Sequence, residues 1–376
     1  MSGEFMGIGV AVMYTKDKAV GVMGVMEGSP AERAGIQDGD RIVTIIDEGQ
    51  RIATSSLPGV EEAIKRIKGR LNTSVTLEIL RGEANELVTV NVVRGTISTS
   101  MVKSEVVVAP NGTKYAYVRL VHFGVDLRKK VVAAVTSVLK ENPGVKGVIF
   151  DVRGNPGGFL GEAYEVSDAF VDSPQALISI RDNDGVHAYG TAPDELTPEP
   201  QPGDVINGLP IGVLVDRGSA SASEIFAGVL KKFERSVTIG QGTWRKGTVQ
   251  RISPLRDGSA LRQTESEYLI GSPSDWVAVQ CVGVPPDIEY EAEGAFKPKK
   301  EMHECDLDGA VVSGGRSSNP NRIPVPLYER DPARYGTGLE MLDAVKVLDS
   351  KTSAKNKRIK KLLKIEDKPE GESDEE

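Results

Sequence analysis

From residue 115 onward the chain alternates between short, nearly all-apolar runs and longer stretches of helical period, and this alternation limits its fold more than any other feature. Residues 115–121, 145–152 and Ile211–Val215 read as strands, and residues 126–141, 161–171 and 222–233 read as helices. A run as apolar as Ile211-Gly212-Val213-Leu214-Val215 suits a strand covered on both faces, and the intervening helices supply that cover. The expectation is an α/β layer. Residues 182–207, rich in Asp, Pro and Gly, read as a long loop, and one more helix is expected at 338–348.

Residues 5–95 follow a different rule. Apolar runs at 7–13, 19–25, 41–46, 75–80 and 87–93 are separated by Gly, Asp, Asn and Ser, as in a mainly β module. Its one helix, about 59–68, sets Val60, Ala63, Ile64 and Ile67 on one face. In Gly7-Ile8-Gly9-Val10, glycines allow successive N–H groups to converge on a carboxylate. The strand that follows can pair with an incoming peptide, and Val60, Ile64 and Ile67 can receive its last side chain. The alternative is a β domain whose glycines only make turns. Together with Gly28-Ser29-Pro30-Ala31-Glu32-Arg33-Ala34-Gly35 and Gly39-Asp40, the module resembles a PDZ domain of the bacterial protease type. Residues 96–114 read as a connector, 115–350 as a second domain, and 351–376 as a disordered or solvated tail, basic and then acidic.

A net charge of -8 argues against nucleic acid as a partner. No apolar run approaches the roughly 18 residues that span a bilayer. The start, Met1-Ser2-Gly3-Glu4-Phe5-Met6, lacks the charged and apolar regions of a signal peptide, and the chain is expected to have been trimmed of a longer natural N-terminus. Cys281 and Cys305 are too few for a disulfide framework; they read as one bond or as buried thiols, the thiols being preferred. No metal or cofactor is expected.

The chemistry concentrates where Asp216-Arg217-Gly218 breaks the strand Ile211–Val215 and Ser219-Ala220-Ser221-Ala222-Ser223-Glu224 enters a helix. A serine at a sharp strand-to-helix turn lies beside free helix N–H groups, which stabilise a developing oxyanion. The plain alternative has Ser219 and Ser223 capping the helix and Ser221 merely small. A serine nucleophile needs a base. His122, His187 and His303 have no triad context, and Lys231 and Lys232 lie about 15 Å along the helix from Ser221. Lys246 follows a Gly-rich turn and can serve if burial favours its neutral amine, whereas Arg245 stays protonated. In an extended 246–250 segment, Gln250 shares the face of Lys246 and can orient its amine. A second turn, Asp151-Val152-Arg153-Gly154-Asn155-Pro156-Gly157-Gly158, offers the N–H of Gly157 or Gly158 as one oxyanion donor, with Ala222 as the other.

These segments, with Gly283-Val284-Pro285-Pro286-Asp287-Ile288 and the 25-residue step from Ser221 to Lys246, resemble the carboxyl-terminal processing (tail-specific) proteases over residues 7 to about 290. The resemblance implies a crotonase-like α/β core with a mainly β PDZ domain, and a Ser–Lys endopeptidase acting on proteins or peptides with free C-termini. It gives Ser221 as nucleophile, Lys246 as base, Gln250 as its orienter, and Arg81 as a PDZ arginine coupling peptide binding to activity. It also implies an extracytoplasmic setting such as the bacterial periplasm, and admits a homo-oligomer or an activating partner. Trp244-Arg245 stands where the family more usually has Phe-Gly, and the helical segment that the family leads one to expect before the PDZ module is not found in residues 1–6. The competing readings are a peptide-binding PDZ adaptor with a latent or partner-activated core, and a crotonase-like acyl-CoA enzyme.

Overall fold

A computed structural model describes residues 4–15, 17–26, 28–98, 100–189, 203–255, 259–292, 303–307, 310–311 and 331–362. The chain divides into two units, one formed by Met1–Thr99 with Ser350–Glu376 and the other by Ser100–Asp349.

In the first unit the strands are β1 (Glu4–Gly7), β2 (Val10–Tyr14), β3 (Val20–Val25), β4 (Arg41–Asp47), β5 (Gln50–Ala53), β6 (Ser74–Arg81), β7 (Glu86–Val93) and β8 (Gly95–Ser98). Helices α1 (Pro30–Arg33) and α2 (Val60–Ile67) lie between them. The main sheet runs β2-β3-β4-β6-β7 with β5 on β4, and β1 pairs with β8 in a separate ribbon. Strand period puts Val75, Leu77 and Ile79 of β6 into a core with Ile8, Val22, Ile42 and Ile45. Helix α2 carries Glu61 and Glu62 in its first turn and Lys65 and Arg66 in its last, matching the helix dipole, and buries Ala63 and Ile67 one turn apart. The expected single strand at 7–13 is broken in two at Ile8-Gly9. Gly9 has φ +81, and a Cβ there would lie 2.4 Å from Ser29 Cβ, so only glycine fits the bend.

The second unit contains β9 (Val102–Val108), β10 (Lys114–Leu120), α3 (Leu127–Glu141), β11 (Val145–Asp151), α4 (Leu160–Asp168), β12 (Ile178–Asp182), β13 (Gly185–Ala188), β14 (Ile211–Val215) and α5 (Ala222–Lys232). It continues with β15 (Ser236–Gly240), β16 (Thr248–Pro254), β17 (Ala260–Ser272), β18 (Asp275–Ala278) and β19 (Ile288–Glu289), and takes in the part of α6 (Pro332–Leu362) up to Asp349. Its main sheet is ordered β19-β15-β14-β11-β10-β9. Only the β9–β10 pair is antiparallel. Alternate residues face opposite ways: Val118, Phe150, Val213 and Val215 join the helix-covered core with Phe226, while Tyr117, Ile149 and Leu214 meet Met341, Leu342 and Val345 of α6. Phe150 packs edge-on to Phe226 at 5.3 Å and tilted against Phe170 at 4.9 Å, aromatic geometry that adds about 1 kcal/mol per pair to simple burial.

Three expectations change. Residues 96–114 are not a bare connector, because β9 lies within them and pairs with β10 along its whole length. The stretch 182–207 opens with the end of β12 and with β13, which pair with each other; residues 190–202 lie outside the described residues. The helix expected at 338–348 runs on to Leu362, so the first part of the expected tail is helical, and 363–376 lie outside the described residues. The sheet β13-β12-β17-β16, with β18 on β17, was mostly not anticipated.

A charged network closes the outer face. Arg153 reaches Asp151 at 2.8 Å and Asp349 of α6 at 2.8 and 3.1 Å, while Tyr290 donates to Asp349 at 2.9 Å. Complete burial would raise the Asp151 carboxyl, but Arg153 and Arg119 hold it below its ordinary range.

Candidate active site

Three parallel neighbours, β11, β14 and β15, end side by side, with Asp151 opposite Leu214 and Val215 opposite Gly240. The carboxyl ends of such strands are where open α/β sheets gather chemistry. Each strand feeds one segment into the site: the glycine turn at 152–158, the serine turn at 216–221, and the lysine loop at 241–247. Backbone bonds fasten them together, from Ala220 N–H to Asn155 C=O at 3.0 Å and from Trp244 N–H to Ser219 C=O at 3.0 Å.

The three serines of the turn part company. Ser219 Oγ donates to the Val152 carbonyl at 2.8 Å, and Ser223 Oγ donates to the Asn155 carbonyl at 2.9 Å, both buried. The Ser221 hydroxyl is committed to neither. Ser221 precedes α5 with φ 56 and ψ -117, a strained conformation for a residue with a Cβ and one that recurs at functional turns. Neither Ser219 nor Ser223 caps the helix.

The N–H of Gly157 donates to Asn155 Oδ1 at 2.9 Å, which removes Gly157 as an oxyanion donor. Gly158 and Ala222 remain, since neither N–H has a hydrogen-bond partner among the described residues. Gly158 sits in a parallel bridge with Phe123, at φ +152, where a Cβ would fall 2.1 Å from the Phe123 carbonyl oxygen. A Cβ on Gly157 would lie 2.8 Å from Ser221 Cβ and 2.9 Å from Ala222 N, so this turn touches the serine turn directly.

Lys246 is half-buried, and its Nζ lies 3.4 Å from Gln250 Oε1; Lys246 itself precedes β16, whose register shifts between Val249 and Gln250. No hydrogen bond joins Lys246 Nζ to Ser221 Oγ, but two other side chains tie the residues together. Glu224 Oε2 accepts from the N–H of Ser221 at 2.9 Å and of Lys246 at 2.8 Å; Oε1 accepts from Arg245 N–H at 2.7 Å and from Thr243 Oγ1 at 2.5 Å. Tyr268 Oη reaches the carbonyl oxygens of Ser221, at 3.1 Å, and of Lys246. Lys231 is occupied by Asp287 and the Pro285 carbonyl, and Lys232 by Asp275. None of the three histidines bonds to Ser221.

Sequence reasoning missed Glu224, Asn155 and Tyr268. Glu224 carried a usable signal, the Ser-x-x-Glu spacing of a helix-capping box from Ser221. Asn155 was visible only as part of a glycine turn, and Tyr268 lies in a strand 47 residues from Ser221.

Burial pushes the Glu224 carboxyl up to about 7, against the pull of its four donors. The folded chain therefore keeps a proton that the unfolded chain releases from about pH 4.5 upward. The stability owed to this group is lost as pH rises through that window and is flat above about 7. The loss is about 3 kcal/mol. Urea unfolding at pH 5 and pH 8 measures it, and Glu224→Gln should remove that share of the pH dependence; an equal dependence in both proteins would refute it.

In the first unit, a cavity of about 170 Å³ is lined by Gly7, Ile8, Gly9, Val10, Ile64 and Ile67, with Lys68 and Ile97 among the others. The N–H groups of Ile8 and Gly9 carry no hydrogen bond among the described residues, and β2 is the sheet edge. Val60 packs into the core and does not line the cavity. Arg81 is not there either: it holds Asp40 at 2.8 and 2.9 Å and the Gly35 carbonyl at 2.7 Å, staples within its own unit.

Cys281 and Cys305 are joined in a disulfide, which overturns the preference for free thiols. Their flanks brace the lysine loop, Cys281 N–H donating to the Arg245 carbonyl at 3.0 Å and Glu304 accepting from the Trp244 indole at 2.9 Å. Among the described residues there is no cluster of metal-ligating side chains and no helix long and apolar enough to cross a membrane.

The model of peptidase family S41 matches residues 114–290 and that of a PDZ domain matches residues 21–81. A probable CtpA-like serine protease of Staphylococcus aureus (strain COL) is 33% identical over 291 residues, covering 77% of this chain and 54% of that protein. The chain thus spans about half the length of the staphylococcal relatives. A carboxy-terminal-processing protease of Bartonella bacilliformis is 31% identical over 335 residues, 88% of this chain and 72% of that one. Among solved structures, a photosystem II D1 C-terminal processing protease is 28% identical, with 77% and 73% coverage and a TM-score of 0.44.

Proposed function

The chain belongs to peptidase family S41, and on that premise we propose that it is a serine endopeptidase that reads free C-termini through its PDZ domain and cleaves with Ser221 and Lys246. The observation that carries this reading is the pairing of a serine hydroxyl that donates to no described group with two open N–H groups, beside a lysine whose peptide group is tied to that of the serine. Ser221 Oγ attacks the scissile carbonyl as its proton passes to the Lys246 amine, which Gln250 orients. The negative oxygen of the tetrahedral intermediate lies between the N–H groups of Gly158 and Ala222, at the positive end of α5. Lys246 then gives the proton to the leaving amine, and water attacks the acyl-enzyme by the reverse path. No metal or cofactor takes part in this scheme.

The core is read as crotonase-like, with residues 115–350 as the protease domain. The substrates are proteins or peptides ending in an apolar residue, whose carboxylate meets the N–H groups of Ile8 and Gly9. Gly7 and Val10 flank these groups, and Ile64 and Ile67 face the last side chain. An extracytoplasmic, periplasm-like setting is supported by the Cys281–Cys305 disulfide, since such bonds persist in oxidising compartments.

The test uses two peptides differing only in a free or amidated C-terminus. Amidation removes a charge-assisted bond and should weaken binding to the Ser221→Ala protein about ten- to a hundredfold. Cleavage by the unaltered protein should fall at least as far. Equal binding and equal cleavage would exclude C-terminal reading.

A further inference from the structure

The peptide groups of Ser221 and Lys246 are gripped at both ends. Glu224 takes the two N–H groups, and Tyr268 Oη faces the two carbonyl oxygens. These grips are not equivalent. The Ser221 carbonyl already accepts from the helix N–H groups of Glu224 at 2.8 Å and Ile225 at 3.0 Å. The Lys246 carbonyl accepts from no other group among the described residues, so Tyr268 supplies its only hydrogen bond. Tyr268 also holds the next residue, its backbone N–H donating to the Gly247 carbonyl at 2.8 Å. The ring is 1% exposed in the helix-covered core, so the hydroxyl is fixed by packing rather than by the loop it holds. Burial, with Glu224, Glu304 and Glu267 nearby, raises the phenol well above its ordinary range and keeps it a donor.

Resting on the assignment of Ser221 and Lys246 above, we infer that Tyr268 is a positioning residue that sets the separation of nucleophile and base by holding the lysine loop against the serine turn. Its hydroxyl hydrogen-bonds to the two carbonyl oxygens and to neither Oγ nor Nζ. It acts through the main chain, from which a one-bond serine side chain and a long lysine side chain must reach a common point. A misplacement of about 1 Å between reacting groups costs about a hundredfold in rate. Loss of the hydroxyl should therefore slow acylation while substrate binding is unchanged.

The test is Tyr268→Phe, read by kcat, KM, the rate of labelling by a fluorophosphonate, and thermal unfolding. The expected result is a fall of about 30- to 100-fold in both kcat and labelling rate, with KM unchanged and the unfolding midpoint moved by less than about 5 °C. Placing 4-aminophenylalanine at 268 restores a donor and should recover most of the rate. If the Phe variant does not fold, 4-methylphenylalanine, which fills the space of the hydroxyl without donating, replaces it. A wild-type kcat and labelling rate without the donor, a change confined to KM, or no recovery with the amino group would each overturn the inference. Failure of the unaltered protein to label at Ser221 would instead overturn the assignment on which it rests.

Discussion

Changing Ser221 to alanine is expected to lower peptide-bond cleavage by about 10⁴-fold or more while leaving the chain folded. The size of the effect follows from how the three neighbouring serines are employed. Ser219 and Ser223 spend their hydroxyls on the carbonyls of Val152 and Asn155. Alanine at either position should cost about 1 kcal/mol of stability through a lost buried bond, with much less effect on chemistry at Ser221. The Ser221 hydroxyl donates to no described group, so alanine at 221 strips no carbonyl of its donor, and the grips of Glu224 and Tyr268 fall on main-chain atoms that it retains. Cleavage rates and thermal melts of the three variants decide the matter. Activity that survives in Ser221→Ala and vanishes in Ser219→Ala or Ser223→Ala would mean that the nucleophile has been misidentified.

Arginine in place of Lys246 keeps a long cationic side chain but cannot accept a proton. Turnover is expected to drop by about 10³-fold or more, because a nucleophile and its base fail as a unit. The lysine loop itself should stay in place, since Glu224 and Tyr268 bind the main chain of residue 246 and not its amine. Melting and peptide binding should accordingly match the unaltered protein. Near-normal turnover in Lys246→Arg would rule out lysine as the base.

The contrast between these two residues and their supports shows what the sequence can and cannot disclose. Ser221 and the oxyanion turn were legible because strand-to-helix turns advertise themselves locally, as an apolar run, a break and a serine- or glycine-rich helix entry. Gln250 does lie within reach of Lys246, but not by the strand period expected, since Lys246 precedes β16 and the register shifts between Val249 and Gln250. The choice between Gly157 and Gly158 was not, because it depends on whether Asn155 turns its side-chain oxygen back onto the next N–H but one. Tyr268 was out of reach for a different reason: a strand residue signals only its face, and its partners lie 47 and 22 residues away. In the fold, the parallel layer followed from buried apolar strands. The edge strand β9 did not, since a run such as Val102–Val108 with several polar residues looks like linker until its neighbour is known. In the first module, Arg81 bonds to Asp40 and the Gly35 carbonyl, partners that lie 41 and 46 residues away and that its local sequence does not disclose.

The network at the outer face has a consequence for the birth of the molecule. Asp349 meets Arg153 across 196 residues of chain, and Met341, Leu342 and Val345 fill the side of the sheet away from α5. Synthesis delivers Ser221 and Lys246 long before that helix. Until Asp349 has left the ribosome, Arg153 lacks its second carboxylate and one face of the sheet stands bare. Because chains grow at about 5–20 residues per second and domains settle as units, the stretch from Lys246 to Asp349 adds a delay of about 5–20 seconds. Through that interval Ser221 and Lys246 stand on a sheet with one face still uncovered.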